Sequence, residues 1–252
     1  MEKEKKIYVV GIGPGNKENM TIEALKAVEN SQVIAGYTVY IDLIKDILGE
    51  DFKEKEIIKT PMKKEIDRCE MALDEAVKGK TVSLVCSGDA GVYGMAGLMY
   101  QVIEEKDLIS QVEIEVVPGV TAAVSGAAAL GAPLIHDFAV ISLSDLLTPW
   151  ELIEKRLKYA GLCDFAICLY NPSSKKRYDY LKKACDILLE TRDENNVCGI
   201  VKNIGRKGQE CKVMTLKELR ETETDMFTTV FIGNSNTKII DGKMVTPRGY
   251  KF

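Results

Sequence analysis

The sequence is poor in the residues that most often build metal and nucleophile sites. His136 is its only histidine, which excludes a His-rich zinc site and leaves one residue for any Ser-His-Asp triad. Its seven cysteines include no Cys-x-x-Cys pair, and we predict no bound metal. Several cysteines fall in apolar patterns, which is typical of buried free thiols in a reducing compartment.

Two further absences limit the class of protein. No apolar run reaches the roughly 18 residues that span a bilayer, and the charged start at 1–6 lacks the apolar segment of a signal peptide. The formal net charge of −4 gives no general attraction to nucleic acid. We therefore expect a cytoplasmic protein without membrane or nucleic-acid partners.

What the sequence does contain is an alternation of strand and helix patterns, which indicates an α/β fold. One helix is predicted from Pro61 to about Lys78, with Thr60 as N-cap and Pro61 in its first turn. The other elements predicted in the first half are a strand at 7–10, a helix at about 21–30, a strand at 81–86, a helix at about 92–106 and a strand at 112–117.

The second half continues the alternation. Residues 148–151 predict a capping box, with Pro149 as the first helical residue of a helix that runs to about Ala160. The remaining predicted elements are a helix at 121–130, strands at 138–142 and 164–170, a helix with Tyr178, Leu181, Cys185 and Leu188 on one face, strands at 197–201, 212–214 and 229–232, and a hairpin at 238–245 with an Asp-Gly turn.

Pro118-Gly119 is the best candidate for a domain boundary. It divides the chain into α/β domains at 1–118 and 119–252, each of ordinary domain size. A cleft between two such domains is a common place for a ligand.

The loop Gly11-Ile12-Gly13-Pro14-Gly15 follows the first strand. A dinucleotide fingerprint needs Gly-x-Gly-x-x-Gly, whereas this spacing is shorter and Pro14 lacks an amide donor. A nicotinamide or ATP site is therefore disfavoured. A tight turn without a ligand and a loop that faces another ligand both remain open.

Three other segments are candidates for a binding site. In 87–94, Asp89 either accepts hydrogen bonds from a ligand or caps the next helix. In 117–123, small residues permit close approach of either a ligand or a second helix. In 171–177, three cations at a predicted helix start oppose the helix dipole, which makes an anion site more attractive here than in a typical basic run, while a plain solvated face stays equally open.

In their order along the chain, these segments resemble the tetrapyrrole methyltransferases of cobalamin biosynthesis. The resemblance covers the whole chain and rests on residues 11–15, 88–90, 117–121 and 170–172. Within that family, the segments that most resemble the branch methylating C17 of precorrin-3B or cobalt-precorrin-3 are 136–138, 141–150, 171–177 and 244–250.

The resemblance implies a two-domain tetrapyrrole methylase fold, with a mixed sheet flanked by helices in each domain, and a homodimer. It implies an active site in the cleft between the domains, where the first domain carries the macrocycle trough and the second shares the S-adenosylmethionine site. The implied reaction is C17-methylation and ring contraction, with S-adenosylhomocysteine as product. Cobalt is expected only as part of the substrate, and whether the substrate already holds it stays open.

The same resemblance implies roles for individual residues. The expected cofactor contacts are Asp89, Val92, Thr121, Ala122, Tyr170, Asn203 and Thr229. The macrocycle, a polycarboxylate, is expected to lie over Gly11, Gly13, Pro14 and Gly15 and to meet the cations Lys175, Lys176, Arg177 and Arg248. Ring contraction needs proton transfers, for which the candidates are His136, Asp137, Ser142 and Ser144.

Other functions compete with this one. A methyltransferase of the same family could act at another macrocycle position, such as C11 of precorrin-4, although residues 136–150 argue against it. A non-catalytic sensor of a nucleotide or tetrapyrrole would need an effector segment, and none is evident in the sequence. A lone histidine such as His136 is also commonly structural.

Overall fold

The computed structural model describes residues 5–174 and 176–251. The chain divides into two compact units, the first ending at Thr121 and the second beginning at Ala122. Strands alternate with helices in the first unit and are interspersed with helices in the second, which confirms the predicted α/β fold class.

Over residues 5–121, the described part of the first unit, the chain forms five strands and four α-helices. Its elements in chain order are β1 (Lys6–Gly11), α1 (Ile22–Asn30), β2 (Val33–Tyr37), α2 (Thr38–Leu48), β3 (Glu56–Thr60), α3 (Glu65–Val77), β4 (Thr81–Cys86), α4 (Ala96–Glu105) and β5 (Glu113–Val117). The sheet order is β3-β2-β4-β1-β5, and every pair is parallel. The mixed sheet predicted for this domain is therefore wrong, because a helix connects each strand to the next and returns the chain to the same end of the sheet.

Helices cover both faces of this parallel sheet, so its central strands are apolar on both sides. On one face, Val10, Ile34 and Val85 pack with α1 and α2. On the other face, neighbouring strand residues such as Val9 and Leu84 pack with α3 and α4. The three layers leave the two ends of the sheet as the places where loops can build a site.

Two helices of this unit start later than the sequence predicts. Thr60 is the last residue of β3, where it pairs with Tyr37, so it cannot cap α3. Lys63 then takes a φ of 67°, which is incompatible with a continuing helix, and α3 begins at Glu65. In the same way, Tyr93 has a φ of 54°, and α4 begins only at Ala96.

The second unit contains a five-stranded sheet and a smaller three-stranded sheet. Its elements in chain order are α5 (Ala122–Leu130), β6 (Gly131–Ala132), β7 (Phe138–Ser142), α6 (Trp150–Leu162), β8 (Ala166–Tyr170), α7 (Tyr180–Leu189), β9 (Val197–Lys202), β10 (Glu210–Thr215), α8 (Leu216–Arg220), β11 (Thr228–Ile232), β12 (Lys238–Ile240) and β13 (Lys243–Val245). The larger sheet has the order β10-β9-β11-β8-β7. Only the β7–β8 pair is parallel, so this sheet is mixed as predicted.

Helices also cover both faces of the larger sheet. Residues of α6, α7 and α8 pack on one face, and α5 packs on the other. A β-carbon at Gly126 would lie 2.7 Å from the Phe231 ring, so this glycine lets α5 approach the sheet closely. This close approach accounts for small residues in α5 by packing alone.

Two helix starts in the second unit also differ from the prediction. Pro149 has a ψ of 140° and occupies the N-cap position without a side-chain hydrogen bond, so the predicted capping box is wrong. The next helix, α7, begins at Tyr180, and Tyr178 lies outside it with 82% of its surface exposed. Lys176 and Arg177 therefore precede the helix rather than occupying its first turn, and Lys175 lies outside the described residues.

The small sheet confirms the predicted hairpin. Strands β12 and β13 pair antiparallel across Asp241 and Gly242, whose φ angles of 49° and 70° are those of a two-residue hairpin turn. Strand β13 also pairs with β6 in parallel. Across 5–174 and 176–251, no helix has both the length and the apolar character needed to cross a membrane.

Candidate functional site

Three loops meet at the carboxyl edge of the first sheet. They follow β4, β1 and β5, which are adjacent strands, and open α/β sheets bind ligands at this edge. The Gly13 amide donates to the Gly88 carbonyl at 3.0 Å, and the Gly88 amide returns a bond to the Gly13 carbonyl at 2.8 Å. Backbone pairing therefore continues past the ends of β1 and β4 into their loops.

Glycine is required where these loops touch. A β-carbon at Gly11 would lie 2.7 Å from both the Gly119 nitrogen and the Gly88 oxygen. At Gly13, φ is +66° and a β-carbon would lie 2.7 Å from the Asn19 oxygen. These glycines thus have a structural explanation, while the macrocycle contact expected at Gly11, Gly13, Pro14 and Gly15 stays a prediction.

Asp89 joins the loop after β4 to the loop after β5. Its Oδ1 accepts hydrogen bonds from the amides of Gly91 at 2.8 Å and Val92 at 3.1 Å, and its Oδ2 accepts one from Gly119 at 3.0 Å. Because α4 begins only at Ala96, Asp89 does not cap that helix. A carboxylate accepts about four hydrogen bonds, so three amides leave capacity for one ligand donor.

Several predicted residues of the second unit also share one sheet edge. Tyr170 ends β8 directly opposite Ser142, the last residue of β7. Asn203 follows β9, and Thr229 lies near the start of β11, whose first residue pairs with the last residue of β9. The Tyr170 hydroxyl accepts a hydrogen bond of 2.7 Å from the Ala123 amide, which brings the first turn of α5 to the same edge.

The loops at this edge hold Ser142 in a defined position. Asn171 has a φ of 52°, and its Nδ2 donates to the Ser142 hydroxyl oxygen at 3.0 Å. The Ser144 amide donates to the same oxygen at 3.2 Å. Asn203 likewise has a φ of 52°, a left-handed conformation that asparagine adopts more readily than most residues.

The predicted cation Arg177 is engaged within the second unit. Its Nε donates to Asp145 Oδ1 at 2.5 Å, and the Tyr180 hydroxyl donates to Asp145 Oδ2 at 2.7 Å. The hydrogen bonds from Tyr180 and Arg177 hold the pKa of Asp145 below its ordinary value. Arg177 is thus a paired cation, whereas the side chains of Lys176 and Arg248 are exposed.

The four candidates for proton transfer do not form one cluster. His136 Nε2 lies 3.1 Å from the Pro247 carbonyl oxygen, which can only accept, so we assign the proton to Nε2. Asp137 directly precedes β7, while Ser142 ends it, a separation of about 16 Å along an extended strand. The structure therefore groups Ser142 with Ser144, and places His136 and Asp137 at the opposite end of β7.

Two features of these units were not predicted from the sequence. The Asp145–Tyr180 pair lies far apart in sequence, so no local motif signals it. Arg68 is 4% exposed within a face of α3 that otherwise carries small and apolar residues such as Cys69 and Ala72. A charge inside an apolar helical face is a signal that the sequence does contain.

Comparisons with known proteins agree with the motifs. Residues 6–220 match the family model described as Tetrapyrrole (Corrin/Porphyrin) Methylases. The chain is 46% identical to the "Probable cobalt-factor III C(17)-methyltransferase" of Salmonella typhimurium, over 97% of this chain and 99% of that protein. It is 38% identical to the "Precorrin-3B C(17)-methyltransferase" of Sinorhizobium sp, over 97% and 96% of the two chains.

A solved structure is similar over nearly the same extent. The crystal structure of the methyltransferase CobJ matches with a TM-score of 0.87 and 34% sequence identity, covering 96% of this chain and 99% of that one. With the family model matching most of its length, the chain belongs to the tetrapyrrole methylases, the family that its sequence motifs indicate.

Proposed function

We propose that the protein transfers a methyl group from S-adenosylmethionine to C17 of cobalt-factor III, with contraction of the macrocycle, in cobalamin biosynthesis. The observation that carries the proposal is the 46% identity, over nearly both full lengths, to a relative named for that substrate and position. Precorrin-3B is the second candidate substrate, because the relative named for it is 38% identical over a similar span.

Methyl transfer from S-adenosylmethionine requires the protein to align the two reactants, and it requires no nucleophilic side chain. When bound, S-adenosylmethionine supplies an activated methyl group: the π electrons at C17 form the new C–C bond, and the C–S electron pair stays on sulfur in S-adenosylhomocysteine. The protein must hold the two reactants in line and keep water out. Loops fixed by backbone contacts, such as those around Asp89, suit that task.

Cofactor contacts are proposed in each unit. In the first unit they are Asp89, Val92 and Thr121, since the Asp89 carboxylate retains capacity for one ligand donor. In the second unit they are Ala122, Tyr170, Asn203 and Thr229, and the support is that Tyr170, Asn203 and Thr229 share one edge of the larger sheet.

For the proton transfers of ring contraction we favour Ser142 over His136. Ser142 shares its sheet edge with Tyr170, whereas His136 lies beyond the other end of β7. Carboxylates of the macrocycle are proposed to meet the exposed cation Lys176. The contact expected at Arg248 stays a prediction, because Arg248 follows Pro247, whose carbonyl contacts His136 beyond the other end of β7. A homodimer and a cytoplasmic location remain predictions, and sedimentation velocity tests the first of them.

One experiment tests the proposed reaction. The full chain is incubated without oxygen with ¹³C-methyl-labelled S-adenosylmethionine and either cobalt-factor III or precorrin-3B. We expect the label at C17 by NMR and a higher kcat/KM for cobalt-factor III. A label at C11 would favour the precorrin-4 alternative, and turnover of neither substrate would overturn the proposal.

A matched pair of variants ties that activity to the loops. Asp46 is an exposed carboxylate on α2. Asp46→Asn therefore removes one negative charge, as Asp89→Asn does, but leaves the three loops of the candidate site unchanged. We expect Asp46→Asn to retain the wild-type kcat/KM and Asp89→Asn to lose most of it.

A further inference from the structure

Arg68 is a buried cation without a carboxylate partner among the described residues. Its side chain is on the first turn of α3 and is 4% exposed. Nε donates to Thr60 Oγ1 at 2.7 Å, Nη2 donates to the Pro61 carbonyl at 3.1 Å, and Nη1 lies 3.7 Å from the Met95 sulfur. Two neutral oxygens and a thioether offset only part of the free-energy cost of removing a guanidinium charge from water.

Arg192, the other buried arginine of the described chain, is paired with a carboxylate, as buried guanidinium groups usually are. Arg192 is 8% exposed and forms an ion pair with Asp164, and its Nη2 donates to the Phe165 carbonyl at 2.9 Å. A guanidinium has five N–H donors in a planar fork that matches a carboxylate. Arg68 has the same fork, but no anion of the described chain is paired with it.

Arg68 lines a pocket at the carboxyl edge of the first sheet. The cavity is about 160 Å³ and lies where β2 ends at Tyr37 and β4 ends at Cys86. Tyr40, Ser87, Tyr93 and Met95 also line it. Small-molecule sites usually measure about 300–1,000 Å³, so the space suits one side chain of a ligand rather than a whole macrocycle.

Few charged groups of the described chain lie close enough to the pocket to offset the charge of Arg68. Burial raises the pKa of the Cys86 thiol to about 12, so this group is neutral beside Arg68. Among the residues that the structure describes, Glu65 is the one carboxylate in the lining; it is half-buried and accepts a hydrogen bond of 3.1 Å from the Lys63 amide. Within the described residues Arg68 forms no ion pair with it, so this carboxylate does not neutralise the buried guanidinium.

The position of the pocket connects it with the candidate site. Ser87 and Tyr93 belong to the same loop as Asp89, whose carboxylate binds the Gly119 amide. Tyr93 holds a φ of 54°, which is rare for a bulky residue and typical of functional loops. A ligand over the three loops would have this pocket beside it, on the same edge of the same sheet.

We propose that Arg68 and its pocket bind one carboxylate side arm of the tetrapyrrole substrate. The inference rests on the proposed function and deepens it, because a polycarboxylate macrocycle supplies the anion that the guanidinium lacks. Nε and one hydrogen of Nη2 are already donated, so Nη1 and the second hydrogen of Nη2 are the donors that pair with the two carboxylate oxygens. The cofactor also carries a carboxylate, so the test must separate the two sources.

The first arm uses Arg68→Met, which replaces the guanidinium by an apolar chain of similar length. Removing an unpaired buried charge is expected to leave the thermal midpoint of the ligand-free protein unchanged or to raise it. The matched control is Arg192→Met, which leaves Asp164 without its cation and is expected to lower the midpoint clearly. If Arg68→Met lowered the thermal midpoint as much as Arg192→Met does, Arg68 would have a purely structural role and the proposal would be overturned.

The second arm measures binding of propionate to the full chain by NMR titration, with propionamide as the uncharged control. We expect wild type to bind propionate and not propionamide, and Arg68→Met to bind propionate about 10- to 100-fold more weakly. Glu65→Gln removes the nearby negative charge and is expected to strengthen propionate binding. Equal propionate binding by wild type and Arg68→Met would overturn the site.

The third arm identifies the source of the carboxylate. In Arg68→Met the KM for the tetrapyrrole is expected to rise about 10- to 100-fold, with the KM for S-adenosylmethionine unchanged. The reverse pattern would assign the pocket to the cofactor and overturn the proposal. If wild type turns over no tetrapyrrole, the proposed function and the macrocycle assignment fail together, while the propionate titration still decides whether the pocket binds a carboxylate.

Discussion

The carboxylate of Asp89 accepts a hydrogen bond of 3.0 Å from the amide of Gly119, 30 positions further along the chain. This bond joins the loop after β4 to the loop after β5, and the strand between them, β1, contributes the third loop. The candidate site of the first unit therefore depends on one side chain that was expected to contact the cofactor directly. Its main visible task is to fix the backbone around it.

Replacing Asp89 by asparagine is the direct test of that task. An amide side chain has one acceptor oxygen, so it cannot serve the amides of Gly91, Val92 and Gly119 together. We expect a loss of about 2 kcal/mol in the free energy of unfolding and a fall in kcat/KM of about 100-fold. Urea denaturation and steady-state kinetics measure the two effects. Wild-type stability in Asp89→Asn would show that the loops are held by other contacts.

A second prediction concerns the glycines at the loop contacts. Gly11→Ala places a β-carbon 2.7 Å from backbone atoms of Gly88 and Gly119, which have no side chain to move aside. We expect the free energy of unfolding to fall by about 1–3 kcal/mol. Gly97→Ala is the matched control, because its β-carbon position has no atom within 4 Å apart from its chain neighbours and its own helix backbone, and the free energy of unfolding should rise by about 0.5–1 kcal/mol. Equal effects of the two substitutions would contradict the close contact.

The two groups of proton-transfer candidates can be separated by product analysis. We expect His136→Ala to form the contracted, methylated product, because His136 lies beyond the end of β7 remote from Tyr170. In Ser142→Ala we expect the yield of contracted product to fall about 100-fold, the scale typical of a lost proton transfer. Mass spectrometry and NMR of the products give the readout. Loss of contraction in His136→Ala alone would reverse the assignment.

The ion pair between Arg192 and Asp164 predicts a pH dependence of the free energy of unfolding. Burial alone would raise the pKa of Asp164, but hydrogen bonds from Ser235 and the charge of Arg192 outweigh it, so the pKa is lowered. The folded protein therefore binds fewer protons at this carboxylate than the unfolded chain does, and the stabilisation is lost as the pH falls through the folded pKa.

Asp164→Asn isolates that contribution. Asp164 has a φ of 57°, a conformation that asparagine also tolerates, so the backbone should be retained. We expect wild type to exceed Asp164→Asn in unfolding free energy by a constant amount above about pH 5, and the difference to shrink below about pH 4. Urea unfolding at a series of pH values measures it. A difference that grows on acidification would contradict the lowered pKa of Asp164.

The cysteines give a prediction that needs no substrate. Cys163 and Cys211 are exposed, and the other five are buried. Burial raises the pKa of the Cys168 thiol to about 12, which makes it a poor nucleophile as well as an inaccessible one. N-ethylmaleimide should therefore add rapidly to two thiols of the native protein and to all seven in denaturant, as counted by intact mass. Rapid addition at Cys168 in the native protein would contradict its burial.

Much of the fold was predictable because its signals are local. Helix α1, strand β4 and the β12–β13 hairpin follow from periodicity and turn residues within a few positions of one another. The helix start at Glu65 was not predictable in this way. Thr60 looks like a cap until its backbone pairs with Tyr37 of a distant strand, and tertiary pairing outweighs local propensity there.

In the candidate site, too, local features were predictable from the sequence and contacts between distant residues were not. Motifs located the loops around Gly11, Asp89 and Gly119, since each is a short run of unusual residues. The sequence could not show that Asp89 binds Gly119 or that Tyr170 caps the first turn of α5, because these contacts form only after the strands have been ordered in the sheet. Arg68 was missed although its charge on an apolar helical face was visible.

The contact between Gly11, Gly88 and Gly119 also limits how this family member can change over evolutionary time. A β-carbon at Gly11 and one at Gly119 would both compete for the space beside the Gly88 carbonyl. A substitution accepted at one position therefore requires the neighbouring loops to shift first, and such a shift displaces the amide that Asp89 binds. Variation in the three loops should consequently be strongly epistatic, with double mutants of this trio departing from additivity far more than pairs of distant sites do.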